Sequence, residues 1–235
     1  MSLVLRIDVD KPYGRANLKE KVLSKVRENY CFPAISSIGY LHHLKKFLAF
    51  LSEEEIEAHI YFRRYTLPPK RWLSESFLDG HMIGLHAENT KNYDTFKKEL
   101  EEVQAHFSPR ILSSFTKHGS GQLSLGRNHY APYEPSKYLK WAEALGIPFL
   151  FGNEEINKSS EFSEQNQFYP RMFWIDRFYS DYERLTLQSV IDVAKEKNVI
   201  VIIHPANFMA SKQVEDDMRK LVSLARQQNV CWATI

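Results

Sequence analysis

The chain has 235 residues, with 31 Lys plus Arg against 29 Asp plus Glu; the resulting net charge of +2 gives no electrostatic reason to expect nucleic acid as a partner. With 43% hydrophobic and 26% charged residues it has the balance of a folded globular protein, far from that of a disordered one. Its longest strongly apolar run, Val199 to Ile203, is too short to cross a bilayer, no secretory pattern is read, and Cys31 and Cys231 suggest neither a disulfide framework nor a cysteine zinc site, so a cytoplasmic protein without a membrane span is expected.

Short β-rich runs alternate with longer amphipathic stretches nearly from end to end, a pattern that predicts parallel sheet. In chain order the reading gives a strand at Leu3–Val9, a helix at Gly39–Leu51, strands at Ala58–Arg63 and Met82–His86, a helix at Tyr93–Phe107 and a strand at Ile111–Lys117. A helix at Pro135–Leu145, stopped by Gly146, precedes strands at Ile147–Phe151 and Phe168–Trp174; then come a helix at Leu187–Lys197, a strand at Val199–His204, a helix at Gln213–Gln228 and a strand at Val230–Ile235. The expected fold class is α/β: one domain over residues 1–235, a (β/α) barrel of seven to eight mostly parallel strands. In such a barrel the ligand site lies where strands end, and here those ends are polar.

Side chains alternate along a strand, so Arg6, Asp8 and Asp10 share one face while Leu3, Leu5, Ile7 and Val9 share the face that packs on helices. Two carboxylates on one face near a barrel mouth suit divided work, one as proton acceptor and one as metal ligand. Arg6, of the same parity as Asp8, is placed to pair with it and reduce its basicity. The same alternation turns His86 inward at the end of its strand, making it a second ligand candidate. His204 ends the very apolar seventh strand, where a buried imidazole needs a partner or a substrate; it reads equally as a general acid or base and as a loop cap. After the fourth strand, Lys117-His118-Gly119-Ser120-Gly121 contains glycines that would let backbone amides converge on an anion, although such a segment also serves as a plain turn.

These pieces, in this order, resemble the polysaccharide deacetylase family, the metal-dependent esterases of the NodB homology domain. The resemblance is carried by Ile7-Asp8-Val9-Asp10, by Gly80 to His86, by Lys117 to Gly121 and by Ile202-Ile203-His204-Pro205. It implies a distorted (β/α) barrel in which Asp8 is the catalytic base, Asp10 and His86 hold zinc or a similar divalent ion, His204 is the general acid, and the loop of Lys117, His118, Gly119 and Ser120 serves oxyanion and substrate. The implied reaction is hydrolysis of an N-acetyl group on an amino sugar or surface-polysaccharide precursor, as in O-antigen assembly. Where the family pattern has a second histidine four residues after the first, this chain has Thr90; Thr90 itself or His118 is the expected third ligand. Where the family commonly has Arg-x-Pro-x-Gly, the chain has Lys117-His118-Gly119-Ser120-Gly121, so the charge that orients the base lacks a planar fork.

Substrate contacts are expected from Trp174 and Tyr179, two members of an aromatic-rich stretch between Glu161 and Tyr182 that otherwise reads as core packing. Arg63, closing the second strand in a basic stretch with Arg64, Lys70 and Arg71, is a candidate anion or sugar contact or simply part of a solvated loop. Two other function classes fit the same residues: a non-catalytic carbohydrate-binding or assembly protein on a decayed barrel, motivated by Thr90 and by the altered loop at Lys117 to Gly121, and a metal-dependent phosphoesterase.

Overall fold

The computed structural model describes residues 1–10, 22, 40–74, 76–119, 124, 125, 128–159, 168–176 and 183–235. Ser120 and Tyr179, and much of the aromatic stretch around Tyr179, lie outside the described residues. Eight strands are described: β1 (Ser2–Val9), β2 (Ala58–Phe62), β3 (Met82–Ala87), β4 (Ser114–Lys117), β5 (Phe149–Glu155), β6 (Tyr169–Trp174), β7 (Val199–Ile203) and β8 (Cys231–Trp232). The helices among them are α1 (Tyr40–Glu53), α2 (Tyr93–Phe107), α3 (Pro135–Leu145), α4 (Leu187–Glu196), α5 (Pro205–Ala210) and α6 (Lys212–Gln227).

Every strand pairing is parallel, and the sheet closes because β1 bonds to β7 on one side and β2 on the other. Seven strands make the closed barrel. The eighth pairs only with Ser2 and Leu3, below the point where β2 joins β1 at Leu5, so it is an appendage to the wall. The expected distorted (β/α) barrel is the observed fold.

Two apolar sets follow from strand alternation. Leu3, Leu5, Ile7 and Val9 of β1 join the outer core, packed with helical residues such as Phe96, Val103, Val190, Met218 and Leu221. The lumen is filled by Val4, Tyr61, Leu150, Phe151, Met172, Ile200 and Ile202, so the barrel is a solid core and not a pore. In α2, Phe96, Leu100, Val103 and Phe107 bury one stripe, and Asn92 caps the helix by accepting from the Thr95 amide at 2.9 Å. α3 stops where expected, at Gly146, whose φ is +66°.

Three strands differ from the sequence reading by three residues or more at one end. Ile111 does not begin β4: it is 78% exposed, and the ladder starts only at Ser114, where pairing with Gly84 begins. β5 runs on to Glu155 through an irregularity in its register with β6 between Phe151 and Glu154. The last strand shrinks to two residues, since only Ser2 and Leu3 offer it an edge. Of the described residues, no helix is long and apolar enough to cross a membrane.

Candidate metal and acid-base site

At the C-terminal end of β1 the inward face changes from apolar to charged, and every charge there has a partner. The guanidinium of Arg6, fully buried, donates to both oxygens of Asp8, Nε to Oδ1 at 2.8 Å and Nη2 to Oδ2 at 2.7 Å. Its Nη1 donates to the carbonyl of Gly152 at 2.6 Å. That carbonyl is available because β5 departs from regular register here; a Cβ on residue 152 would lie 2.4 Å from the Pro170 carbonyl, so only glycine fits. The planar fork missing from the loop after β4 is thus present two residues before Asp8.

Asp10, one strand period further, is 1% exposed. Its Oδ1 accepts from Arg63 Nη1 at 2.6 Å, and its Oδ2 faces His118 Nδ1 at 3.0 Å and His86 Nε2 at 4.0 Å. His86 Nε2 also lies 3.3 Å from Asp8 Oδ2, while its Nδ1 meets Thr116 Oγ1 at 2.7 Å. One donor atom each from Asp10, His86 and His118 lie within 4.8 Å of one another, all three residues buried. His118 is fully buried, yet among the described residues neither ring nitrogen makes a hydrogen bond of good geometry. A buried polar atom left this way is costly unless something else occupies its lone pair, and one carboxylate with two imidazoles is a donor set that suits zinc or a similar divalent ion. The residues fit such a group.

The electrostatics agree with that donor set. Burial would raise Asp10, but His118 and Arg63 hold its carboxyl well below the usual range, so it is ionised. Burial pushes His86 well below the ordinary histidine value, helped by His118, and brings His118 down to about 3. Both imidazoles are therefore neutral and keep a lone pair to donate.

Across the mouth stands His204. Its Nδ1 and its backbone amide both donate to Asp176 Oδ2, each at 2.8 Å, and Asn207 Nδ2 donates to the same oxygen at 3.0 Å. Burial alone would lower His204, but Asp176 overrides it, with Asp8 and Asp10 adding to the pull, and the imidazole is pushed up to about 9. Trp174 lies against it, with ring centroids 6.1 Å apart and planes 26° from parallel.

Asp8, Asp10, His86 and His118 are thus brought together, and His204 is close enough for both aspartates to act on its charge. Thr90 is fully buried, and its hydroxyl lies 3.4 Å from the Tyr138 hydroxyl. Arg63 is not a solvated loop residue: it is 2% exposed and paired with Asp10 and Glu88. Lys117 is buried as well, its Nζ donating to the His118 carbonyl, and burial brings it down to about 7 against the pull of Glu88 and Glu99. Gly119 lies beside His129 at the turn.

Several residues escaped the sequence reading. Asp176 follows Trp174 by two residues, so strand parity continued past the end of β6 would have found it. Glu99, on α2, accepts from the amides of Glu88 at 3.2 Å and Asn89 at 2.8 Å and so holds the loop after β3; no local pattern announces that. Asn153 and His129, which bind the backbone around His118, carry no signal either.

No family model matches the sequence, and no curated protein matches it. Among solved structures the chain is similar to the catalytic domain of the peptidoglycan N-acetylglucosamine deacetylase of Eubacterium rectale, at 11% identity and a TM-score of 0.53, over 99% of this chain and 87% of that one. It is also similar to a CE4 esterase of Streptococcus mutans, at 10% identity and a TM-score of 0.51, over 99% of this chain and 84% of that one. The likeness is one of fold: the distorted (β/α) barrel of this chain is the barrel of those deacetylase and esterase structures.

Proposed function

We propose that this chain is a divalent-metal-dependent hydrolase that removes an N-acetyl group from an amino sugar. The observation that carries the reading is the cluster of three buried donors, Asp10, His86 and His118, set directly against the ionic pair of Asp8 with Arg6. A divalent ion held by those donors, zinc by the ligand chemistry, would supply Lewis-acid polarisation of the acetyl carbonyl. Asp8 is the base: it accepts a proton from the attacking water. Arg6 occupies one lone pair on each carboxylate oxygen, which fixes the group and leaves acceptor capacity on Oδ2, the oxygen nearest His86. His204 is the acid. Protonated by virtue of Asp176, with Nδ1 engaged there, it delivers the Nε2 proton to the departing nitrogen as the C–N bond breaks. A C–O bond forms, and the products are acetate and the free amino sugar.

The decayed-barrel alternative drew its force from Thr90; with His118 counted there are three donors, the usual number for a catalytic zinc site. The narrower substrate in this proposal is an acetylated saccharide precursor handled in the cytoplasm during surface-polysaccharide assembly, as for an O-antigen, with Trp174 beside the sugar. Acetate release by zinc-loaded protein from small acetylated amino sugars, compared with acetylated polymer, tests it. Release from the small substrates, abolished by Asp8→Asn, is expected. No acetate from either substrate by metal-replete protein ends the proposal, and phosphate release from sugar phosphates would move the protein to the phosphoesterases.

A further inference from the structure

His118 is an unusual residue to ask for a ligand. It stands one position past the last residue of β4, and its amide makes the last bond to β3, donating to Ala87 O at 2.8 Å. Beyond a strand end the backbone is ordinarily free to turn, and an imidazole there would sample many directions. Here three successive carbonyls are held from outside.

Asn153, on β5 and 6% exposed, donates from Nδ2 to Lys117 O at 2.7 Å and to Gly119 O at 3.2 Å, bridging the residues on either side of His118. The carbonyl of His118 itself accepts from His129 Nε2 at 2.7 Å and from Lys117 Nζ. The direction of the His129 bond follows from its other nitrogen. Nδ1 accepts from the Leu125 amide at 3.1 Å, so in the neutral ring the proton is on Nε2 and points at the carbonyl; Lys117 Nζ, 2.9 Å from Nε2, then directs its own proton to the same carbonyl and not to the ring. Burial, with Lys117 adding to it, takes His129 down to about 4, in keeping with a neutral ring.

The cost of this arrangement is visible in Asn153. Its buried Oδ1 has no hydrogen-bond partner among the described residues, and turning the amide over would set that oxygen against two carbonyls and lose both donated bonds. The amide is thus held in the one orientation whose donations serve the loop.

We propose that Asn153 and His129 are positioning residues for His118: they fix the backbone of residues 117–119 so that Nδ1 faces Asp10, and the metal affinity of the site depends on them although neither belongs to the donor cluster. The proposal rests on Asp10, His86 and His118 forming the metal site proposed above. It assigns to β5 and to the segment before α3 a part in metal binding that the ligand residues alone do not reveal.

The test is Co²⁺ and Zn²⁺ affinity of the full chain by chelator competition, with the visible spectrum of the Co²⁺ form as a readout that a general loss of stability does not move. Asn153→Leu, close in volume and without a donor, is expected to weaken both metals by about 10- to 100-fold, the usual range for residues that orient ligands, and to alter the Co²⁺ bands. Asn153→Asp, which replaces the donor with an acceptor, should do the same. Should the Asn153 variants fail to fold, His129 decides: His129→Leu is expected to lose about tenfold in affinity while His129→Gln, which keeps a donor, stays near wild type. Folded Asn153 variants, or a His129→Leu protein, with wild-type affinity and spectrum overturn the proposal. A wild-type chain that takes up no metal, or a His118→Ala variant that binds as the wild type does, removes the metal-site reading itself, and this proposal with it.

Discussion

His118 and His204 are both buried histidines at the mouth of one barrel, and their surroundings drive them to opposite states. Around His118 burial dominates and the ring falls to about 3; around His204 the same burial is overcome by Asp176 at 2.8 Å and the ring rises to about 9. The first keeps a lone pair to donate at neutral pH, the second keeps its proton. What separates them is the way each carboxylate is shared. Asp10 divides its charge among Arg63, His86 and His118, whereas Asp176 spends one oxygen wholly on His204 and Asn207. The strand ends deliver the imidazoles, and the acids behind them assign the work.

The harshest way to break this comparison is to delete each ring. His204→Ala is expected to slow acetate release by about 10²- to 10⁴-fold and to leave metal affinity at the wild-type value, the scale usual for a lost acid or base. His118→Ala should do the reverse at the level of binding: metal uptake, measured by chelator competition, falls sharply because two protein donors make a poor zinc site. If both variants lose metal equally, the two rings do not have separate tasks.

A gentler break removes the acid that makes His204 different. Asp176→Asn takes away the charge but can keep bonds to the His204 amide and ring, so burial regains control and the ring's proton is lost at lower pH. The alkaline limb of the kcat/KM profile should shift down by about one to two pH units, with the acid limb in place. An unchanged alkaline limb would mean that His204 is not the group titrating there.

How far the sequence announced this comparison depends on where each residue stands relative to its strand. Within strands, period-two alternation is a strong signal: it set Arg6 with Asp8 and Asp10, turned His86 inward, and separated Leu3, Leu5, Ile7 and Val9 into the outer core. The all-apolar β7 was legible for the same reason. Past a strand end the signal stops, since no local periodicity says where a loop residue will point. Asp176 keeps the parity of Trp174 but stands two residues past β6, and Asn153 sits within β5 at the irregularity that frees the Gly152 carbonyl for Arg6 and breaks the count at that strand. The burial of Arg63 is hidden from the sequence for another reason. An arginine before a basic loop looks solvated, and the two carboxylates that pair with it come from the residue after β1 and the residue after β3, partners that only the sheet brings together.

The two rings also sharpen the comparison in stability, with opposite signs. His204 has its folded value raised above the ordinary 6.5, so its pairing with Asp176 contributes fully below pH 6.5 and is lost as the pH rises toward about 9. His118 has its folded value depressed to about 3, so the unfolded chain takes up a proton first, and stability is lost as the pH falls from about 6.5 toward 3. In denaturant titrations of metal-free protein across this range, the stability that His204→Gln lacks relative to wild type should be largest below pH 6.5 and shrink toward pH 9, while buried Lys117, held at about 7, acts with the opposite sign above pH 7 in both proteins and cancels in the difference. The acid decline should be the same in both proteins. A flattened acid limb in that variant would contradict the assignment.

The smallest expected effect concerns the tautomer of His86. For Nε2 to offer its lone pair toward Asp10 and a cation, the ring proton must be on Nδ1, and the Thr116 hydroxyl 2.7 Å away is the group that accepts it. Thr116 is fully buried and its side chain faces the same mouth, so Thr116→Val keeps the shape and removes the acceptor. An imidazole that loses the partner of its remote nitrogen loses both its preferred tautomer and some basicity; a drop in metal affinity of about tenfold, at the low end for such orienting groups, is expected. The same substitution should leave the pH at which His204 titrates unmoved, because Thr116 bonds to His86 and not to the Asp176 side of the mouth. A Thr116→Val protein that binds metal as tightly as the wild type would show that His86 holds its tautomer without β4. The donor cluster would then need no orienting hydroxyl behind His86, and the contrast between the two sides of the mouth would rest on the carboxylates alone.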